Sequence, residues 1–97
     1  MEKLIKINAA DNVFVVRIRI LPGERLQVNG AEILFNETLG LGHKIASCNI
    51  DKGQLIIKFG VPIGSATENI PAGTHIHLHN MKSNYIPTFK LDEFIKP

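Results

Sequence analysis

One spacing recurs along this chain: an apolar residue, two others, a glycine, two others, and a second apolar residue. It reads Ile20…Gly23…Leu26, Leu39…Gly42…Ile45, Ile50…Gly53…Ile56 and Ile70…Gly73…Ile76. A central glycine supplies a backbone shape that other residues resist, so each copy reads as a tight turn feeding a new strand. Chance spacing of common residues would also produce such matches, but four copies favour real structural repetition. A chain that turns this often has little room for helix. The predicted class is all-β, with short strands and long turns.

Local signals agree. Val13-Phe14-Val15-Val16 and Leu55-Ile56-Ile57-Lys58-Phe59 are β-branched and aromatic runs, closed by Pro22-Gly23 and by Gly60. Asn29-Gly30 separates Leu26-Gln27-Val28 from Ala31-Glu32-Ile33-Leu34-Phe35. Asn-Gly between apolar runs is the strongest short-range hairpin signal. The clearest helical candidate is one turn, Leu91–Lys96, reached through a loop that starts at Lys82. At 97 residues the chain makes one small domain with a modest core. Residues 1–82 are expected to form it, with residues 83–97 as a tail or linker.

His75-Ile76-His77-Leu78-His79-Asn80 is the stretch richest in chemistry. On a strand, alternate side chains share a face. Three imidazoles would then lie on one side, with Ile76 and Leu78 buried on the other. Imidazole is the common physiological acid/base and the commonest metal ligand. The same pattern also suits the polar face of a half-buried strand. It does not by itself choose between ligand, proton donor and substrate anchor.

Several function classes are disfavoured. A net charge of +2 with scattered Lys and Arg, no Trp and one Tyr gives neither a basic footprint nor a base-stacking platform. Nucleic acid is not an expected partner. Cys48 is the only cysteine, which excludes an internal disulfide and a cysteine-based zinc finger. It reads as a small, partly buried residue. The start, Met1-Glu2-Lys3-Leu4, lacks the layout of a secretory signal, and no apolar run reaches membrane-spanning length. A cytoplasmic protein without membrane attachment is the expectation. No phosphate loop, dinucleotide fingerprint or nucleophile elbow appears, and the carboxylates are dispersed.

A set of segments carries a family resemblance. They are Asn8–Val13, Gly42–Ala46, Ile57–Gly60, Pro62-Ile63-Gly64, Ala66-Thr67 and Ala72–Asn80. In that order and spacing they resemble the N-terminal SAF domain of the altronate/galactarate dehydratase family, over roughly residues 4 to 82. The resemblance implies a β-clip fold. It implies either a domain that precedes a much larger catalytic domain, or a separate small subunit as in altronate dehydratase and sulfolactate sulfo-lyase. The chain ends where the large domain would begin, which suggests the small subunit or an excised N-terminal domain.

The implied chemistry is elimination from a hydroxy acid, with loss of water or sulfite. The implied roles fall on His75 and His77 as acid/base groups and on His43, Lys44 and Asn80 as substrate-binding groups. His75, His77 and His79 are implied as ligands if a metal sits there, and ferrous iron is the cofactor implied for the assembled enzyme. Nothing in this chain alone demands a cofactor. The implied partners are a large dehydratase-like subunit and a sugar-acid or sulfonated hydroxy-acid substrate, and self-association is compatible with all of this. Asp11 and Asn12 match a further motif but suffice as turn formers. Ser47-Cys48-Asn49, Val61 and Ser65 stand where charged residues are frequent in dehydratases, which leaves the substrate open. The rival readings are a sulfo-lyase small subunit, a non-catalytic SAF-type binding or assembly module, and a stand-alone metal-binding protein. The isolated chain is expected to be inactive.

Overall fold

The computed structural model describes residues 2–83. Nine short strands make up the domain, and among the described residues there is no helix. They are β1 (Leu4–Ile5), β2 (Val13–Val16), β3 (Arg25–Val28), β4 (Ala31–Leu34), β5 (Lys44–Ala46), β6 (Leu55–Lys58), β7 (Val61–Ala66), β8 (His75–Ile76) and β9 (Met81–Lys82). A four-stranded antiparallel sheet runs β1-β2-β5-β8, flanked by the hairpin β3–β4 and the sheet β6-β7-β9. The all-β expectation holds. The helical candidate Leu91–Lys96 and most of the tail lie outside the described residues.

The four-fold spacing is a structural duplication. One half runs from Ile20 to Ile45, the other from Ile50 to Ile76. Each opens with a turn whose glycine donates to the far end of its own hairpin: Gly23 N to Phe35 O at 2.7 Å, and Gly53 N to Ala66 O at 2.8 Å. Each hairpin is pinned at its base by a reciprocal bridge, Ile20 with Leu39 and Ile50 with Ile70. Each half then ends on a second glycine turn, where Gly42 N donates to Val16 O and Gly73 N to Ala46 O. All four glycines have φ between 84° and 91°, which L side chains adopt only with strain.

Each half has its own apolar core. The first gathers Leu4, Val16, Ile20, Val28, Phe35, Leu39 and Ile45. The second gathers Val13, Ala46, Ile50, Ile56, Ala66, Ile70 and Ile76. Fully burying one such isoleucine contributes about 1.5–3 kcal/mol. The repeated apolar positions are therefore the ones that hold each turn onto the sheet.

Both hairpins turn on two residues of positive φ, Asn29-Gly30 (51° and 83°) and Phe59-Gly60 (55° and 76°). The first turn was predicted. In the second, Phe59, which the sequence pattern puts at the end of a strand, occupies a turn position instead. A bulky residue seldom takes positive φ, so it gave no turn signal. The surroundings compensate. Gly60 N donates to Asp11 Oδ1 at 2.7 Å, Ile57 N donates to Asn12 Oδ1 at 2.8 Å, and Asn12 Nδ2 donates to Leu55 O at 2.8 Å. Asp11 and Asn12 thus clamp the second hairpin, in keeping with their turn-forming role. Burial pushes the Asp11 carboxyl up, but amides of Gly60, Asn8, Phe59 and Ile7 outweigh it and hold the pKa below its ordinary value.

Candidate functional site

The second half ends on β8, which pairs with β5 in the register Ile45↔His75 and Lys44↔Ile76. By the duplication, His75 is the counterpart of Lys44. Pairing therefore sets His75 beside the turn that carries His43. Ile76 is fully buried, as its place in the repeat requires.

Beyond Ile76 the expected strand does not continue. His77 to Asn80 form a turn in which Asn80 N and Met81 N both donate to His77 O, at 3.1 and 3.0 Å. Leu78, predicted to be buried, is 76% exposed. The alternation fails because Asn80 ends the strand. Its Oδ1 accepts from His77 N at 3.0 Å and its Nδ2 donates to His75 O at 2.9 Å. This is local side chain to backbone bonding competing with a sheet ladder. Asn80, implied by the resemblance as a substrate contact, is 1% exposed and holds this turn together.

The turn still gathers the imidazoles, and it adds the fourth. The His75 ring lies 5.0 Å from that of His43, 5.8 Å from His77 and 6.0 Å from His79, centroid to centroid. His75 is half-buried at the centre, and the other three are exposed. His43 Nδ1 and His75 Nε2 are 3.0 Å apart. On its other side, His75 Nδ1 faces Glu37 Oε1 at 3.4 Å. Glu37 was missed in the sequence. It sits in the loop between β4 and β5 and belongs to no motif, so only the fold brings it to His75.

Burial pushes the pKa of His75 below its ordinary value, and His43, His77 and His79 push the same way against Glu37. Burial, followed by the nearby Lys58, also lowers the pKa of Lys44. Two shallow depressions border the cluster. One of about 240 Å³ is lined by Leu34–Glu37, Leu39, Gly73 and His75. The other, of about 280 Å³, is lined by Leu41–Lys44, Ile76 and His77, and so brings His43, Lys44 and His77 to one concavity. A larger opening of about 350 Å³ is lined by Glu2, Lys3, Leu4, Leu26 and Gln27 and contains no imidazole.

The donor set does not fit an iron ion. Both nitrogens of His75 already face partners, and the rings of His75 and His77 are nearly parallel, at 6°. Among the described residues no three of His, Cys, Asp and Glu are arranged to hold a metal. Among the described residues no helix is long and apolar enough to cross a membrane.

A family model described as the altronate/galactarate dehydratase SAF domain matches residues 2–84. The chain is 43% identical over 84 residues to altronate dehydratase of Bacillus subtilis, covering 87% of this chain and 17% of that protein. It is 40% identical over 80 residues to altronate dehydratase of Escherichia coli, covering 82% of this chain and 16% of that protein. It is also 34% identical over 47 residues to (2R)-sulfolactate sulfo-lyase subunit alpha of Chromohalobacter salexigens, covering 48% of this chain and 50% of that subunit. The chain thus spans about a sixth of the length of the two dehydratases it matches.

Proposed function

The chain belongs to the altronate/galactarate dehydratase SAF domain family, and from that premise we propose that it is the small component of a hydroxy-acid lyase. In this reading it brings its imidazole cluster to an active site completed by a large catalytic subunit. One observation supports the proposal: four imidazoles gather at a shallow surface, with the half-buried His75 3.0 Å from His43 and its ring 5.8 and 6.0 Å from those of His77 and His79, and Lys44 lines the depression that His43 and His77 share. Such a surface is too open to enclose a sugar acid. A second protein surface would close it, exclude water and strengthen every charge interaction there.

The reaction is a β-elimination. A base removes the proton next to the substrate carboxylate, the electron pair forms the double bond, and the β-hydroxyl leaves. Proton and hydroxyl together make water. The Lys44 ammonium binds the substrate carboxylate, where it also offsets charge developing on the enolate. His43 and His77, which line one depression, are the groups that take the moving proton in this reading. His75 supports His43 from behind, and Asn80 contributes by holding the turn. The iron of the assembled enzyme belongs, in this account, to the large subunit. The component works in the cytoplasm as a β-clip unit.

A sulfo-lyase is the second reading. A match of 47 residues spans half of the sulfo-lyase subunit alpha, so that subunit is about as long as this chain. The test mixes the purified chain with the large lyase subunit and supplies altronate, galactarate and sulfolactate in turn. Turnover of one substrate by the mixture, and by neither component alone, is the expected result. Turnover by the chain alone refutes the component reading. Assembly with no dependence of rate on the chain makes it a non-catalytic module.

A further inference from the structure

Three groups stand in series at the centre of the cluster. Glu37 Oε1 is 3.4 Å from His75 Nδ1, and His75 Nε2 is 3.0 Å from His43 Nδ1. A neutral imidazole has one N–H and one lone pair, and the partner of one nitrogen decides where the proton sits. Three arrangements of His75 are conceivable. With the proton on Nε2, the lone pair of Nδ1 would face a carboxylate that has only lone pairs to offer. With protons on both nitrogens, a cation would sit half-buried among three other imidazoles, and burial and all three neighbours oppose that against Glu37 alone. With the proton on Nδ1, both contacts are favourable: the His75 N–H faces the Glu37 carboxylate at 3.4 Å, and Nε2 accepts from His43. His43 must then carry its own proton on Nδ1.

We infer that Glu37, His75 and His43 form an ordered relay, in which Glu37 fixes the His75 proton on Nδ1, His75 fixes the His43 proton on Nδ1, and His43 Nε2 is left as the proton acceptor. A base held by a second group and oriented by a third is the general logic of an activated site. Glu37 and His75 are positioning residues; His43 is the member that meets substrate. When His43 Nε2 takes the proton, the electron pair of the broken C–H bond stays on the substrate carbon. His43 becomes an imidazolium that keeps its Nδ1 proton on the His75 Nε2 lone pair, so the charge stays on the exposed ring while Glu37 holds His75 in place behind it. Only this last step rests on the lyase reading. The proton positions are a property of the chain itself.

Long-range nitrogen–proton NMR of the imidazoles, on the isolated chain at about pH 8, reads the tautomers directly. His43 and His75 are expected in the Nδ1–H form, the opposite of the form that free imidazole side chains favour in water. Glu37 is 63% exposed, so its replacement spares the core. Glu37→Ala should move both histidines toward Nε2–H, and Glu37→Gln, whose amide oxygen still accepts, should retain Nδ1–H. An Nε2–H form of His75 in the native chain, or tautomers unmoved in Glu37→Ala, overturns the relay and leaves the lyase reading standing. In the assembled enzyme, Glu37→Ala should lower kcat about 10- to 100-fold with KM little changed. That is less than the ~10²–10⁴-fold cost of losing a general base outright. Shifted tautomers with an unchanged kcat overturn His43 as the base.

Discussion

The two halves of the domain share a frame and differ in what they hang on it. The turns and bridges correspond pair by pair, from Ile20 and Ile50 to Gly42 and Gly73. The first half closes on β5, in the middle of the sheet between β2 and β8. The second closes on β8, at the sheet edge, and is free to continue into the His77–Asn80 turn and β9. The second glycine turn also differs. A Cβ on Gly42 would meet nothing within 4 Å, whereas one on Gly73 would meet Ile33 of the first hairpin at 2.8 Å. The position of Lys44 in one half is that of His75 in the other. The imidazoles gather where the repeat stops repeating, at an edge strand that can be redirected without disturbing either core.

The largest effects should test the shared frame. Ile20→Ala and Ile50→Ala should each cost about 2–5 kcal/mol, the usual penalty for emptying a buried site. Denaturant unfolding measures both, and a neutral result for either removes its half from the comparison. Leu78→Asp, by contrast, should leave stability almost unchanged, because that side chain is exposed. A loss of several kcal/mol there would restore the buried strand that the alternation suggested.

The next effects probe the difference between halves. Gly42→Ala and Gly73→Ala both force a side chain to positive φ, at roughly 1–2 kcal/mol. Gly73→Ala must in addition displace Ile33 and should lose about 1–3 kcal/mol more. Equal losses would mean that the first hairpin does not lean on the second half. Phe59→Asn would give the second hairpin the turn chemistry of the first. It relieves a strained backbone but forfeits the Lys58 amine lying 5.1 Å from the Phe59 ring centroid. That exposed contact contributes about 0.5–1 kcal/mol. A net gain of a few tenths of a kcal/mol in thermal unfolding is expected, and a clear loss would show that Phe59 serves the second hairpin in another way.

A smaller effect follows from His75. Its pKa is lowered on folding, so below the ordinary value of 6.5 the unfolded chain binds more protons than the folded one. Stability from this group is complete above that value and is lost as pH falls through it toward the folded pKa. The melting temperature should be flat near pH 8, decline below about pH 6.5, and decline less in His75→Gln. An identical decline in both proteins would place the titration elsewhere.

Much of the frame was legible in the sequence. The glycine repeat and Asn29-Gly30 state local backbone requirements, and local requirements survive into the fold. The same holds for the histidines as a group. Their arrangement was not legible. Alternation of His and aliphatic residues argued for a strand through His79, but the Asn80 amide bonds back to His75 and His77 and cuts it short. Phe59 broke the usual residue preference of a turn, sustained by the amide-binding carboxylate of Asp11. Glu37 and the His43–His75 contact depend on pairing between β5 and β8, which no local pattern encodes.

The central claim is that the place where the second half departs from the first is the working part of an assembled lyase. The most direct measurement is the turnover of the complex at saturating small component, alongside the subunit dissociation constant, for His43→Ala, His75→Ala and His77→Ala. The account predicts losses of about 10²-fold or more in saturated rate for His43→Ala, a smaller loss for His75→Ala, and dissociation constants close to that of the native chain. Normal saturated rates for all three variants, with weakened association, would contradict it and leave the histidine cluster as a packing surface.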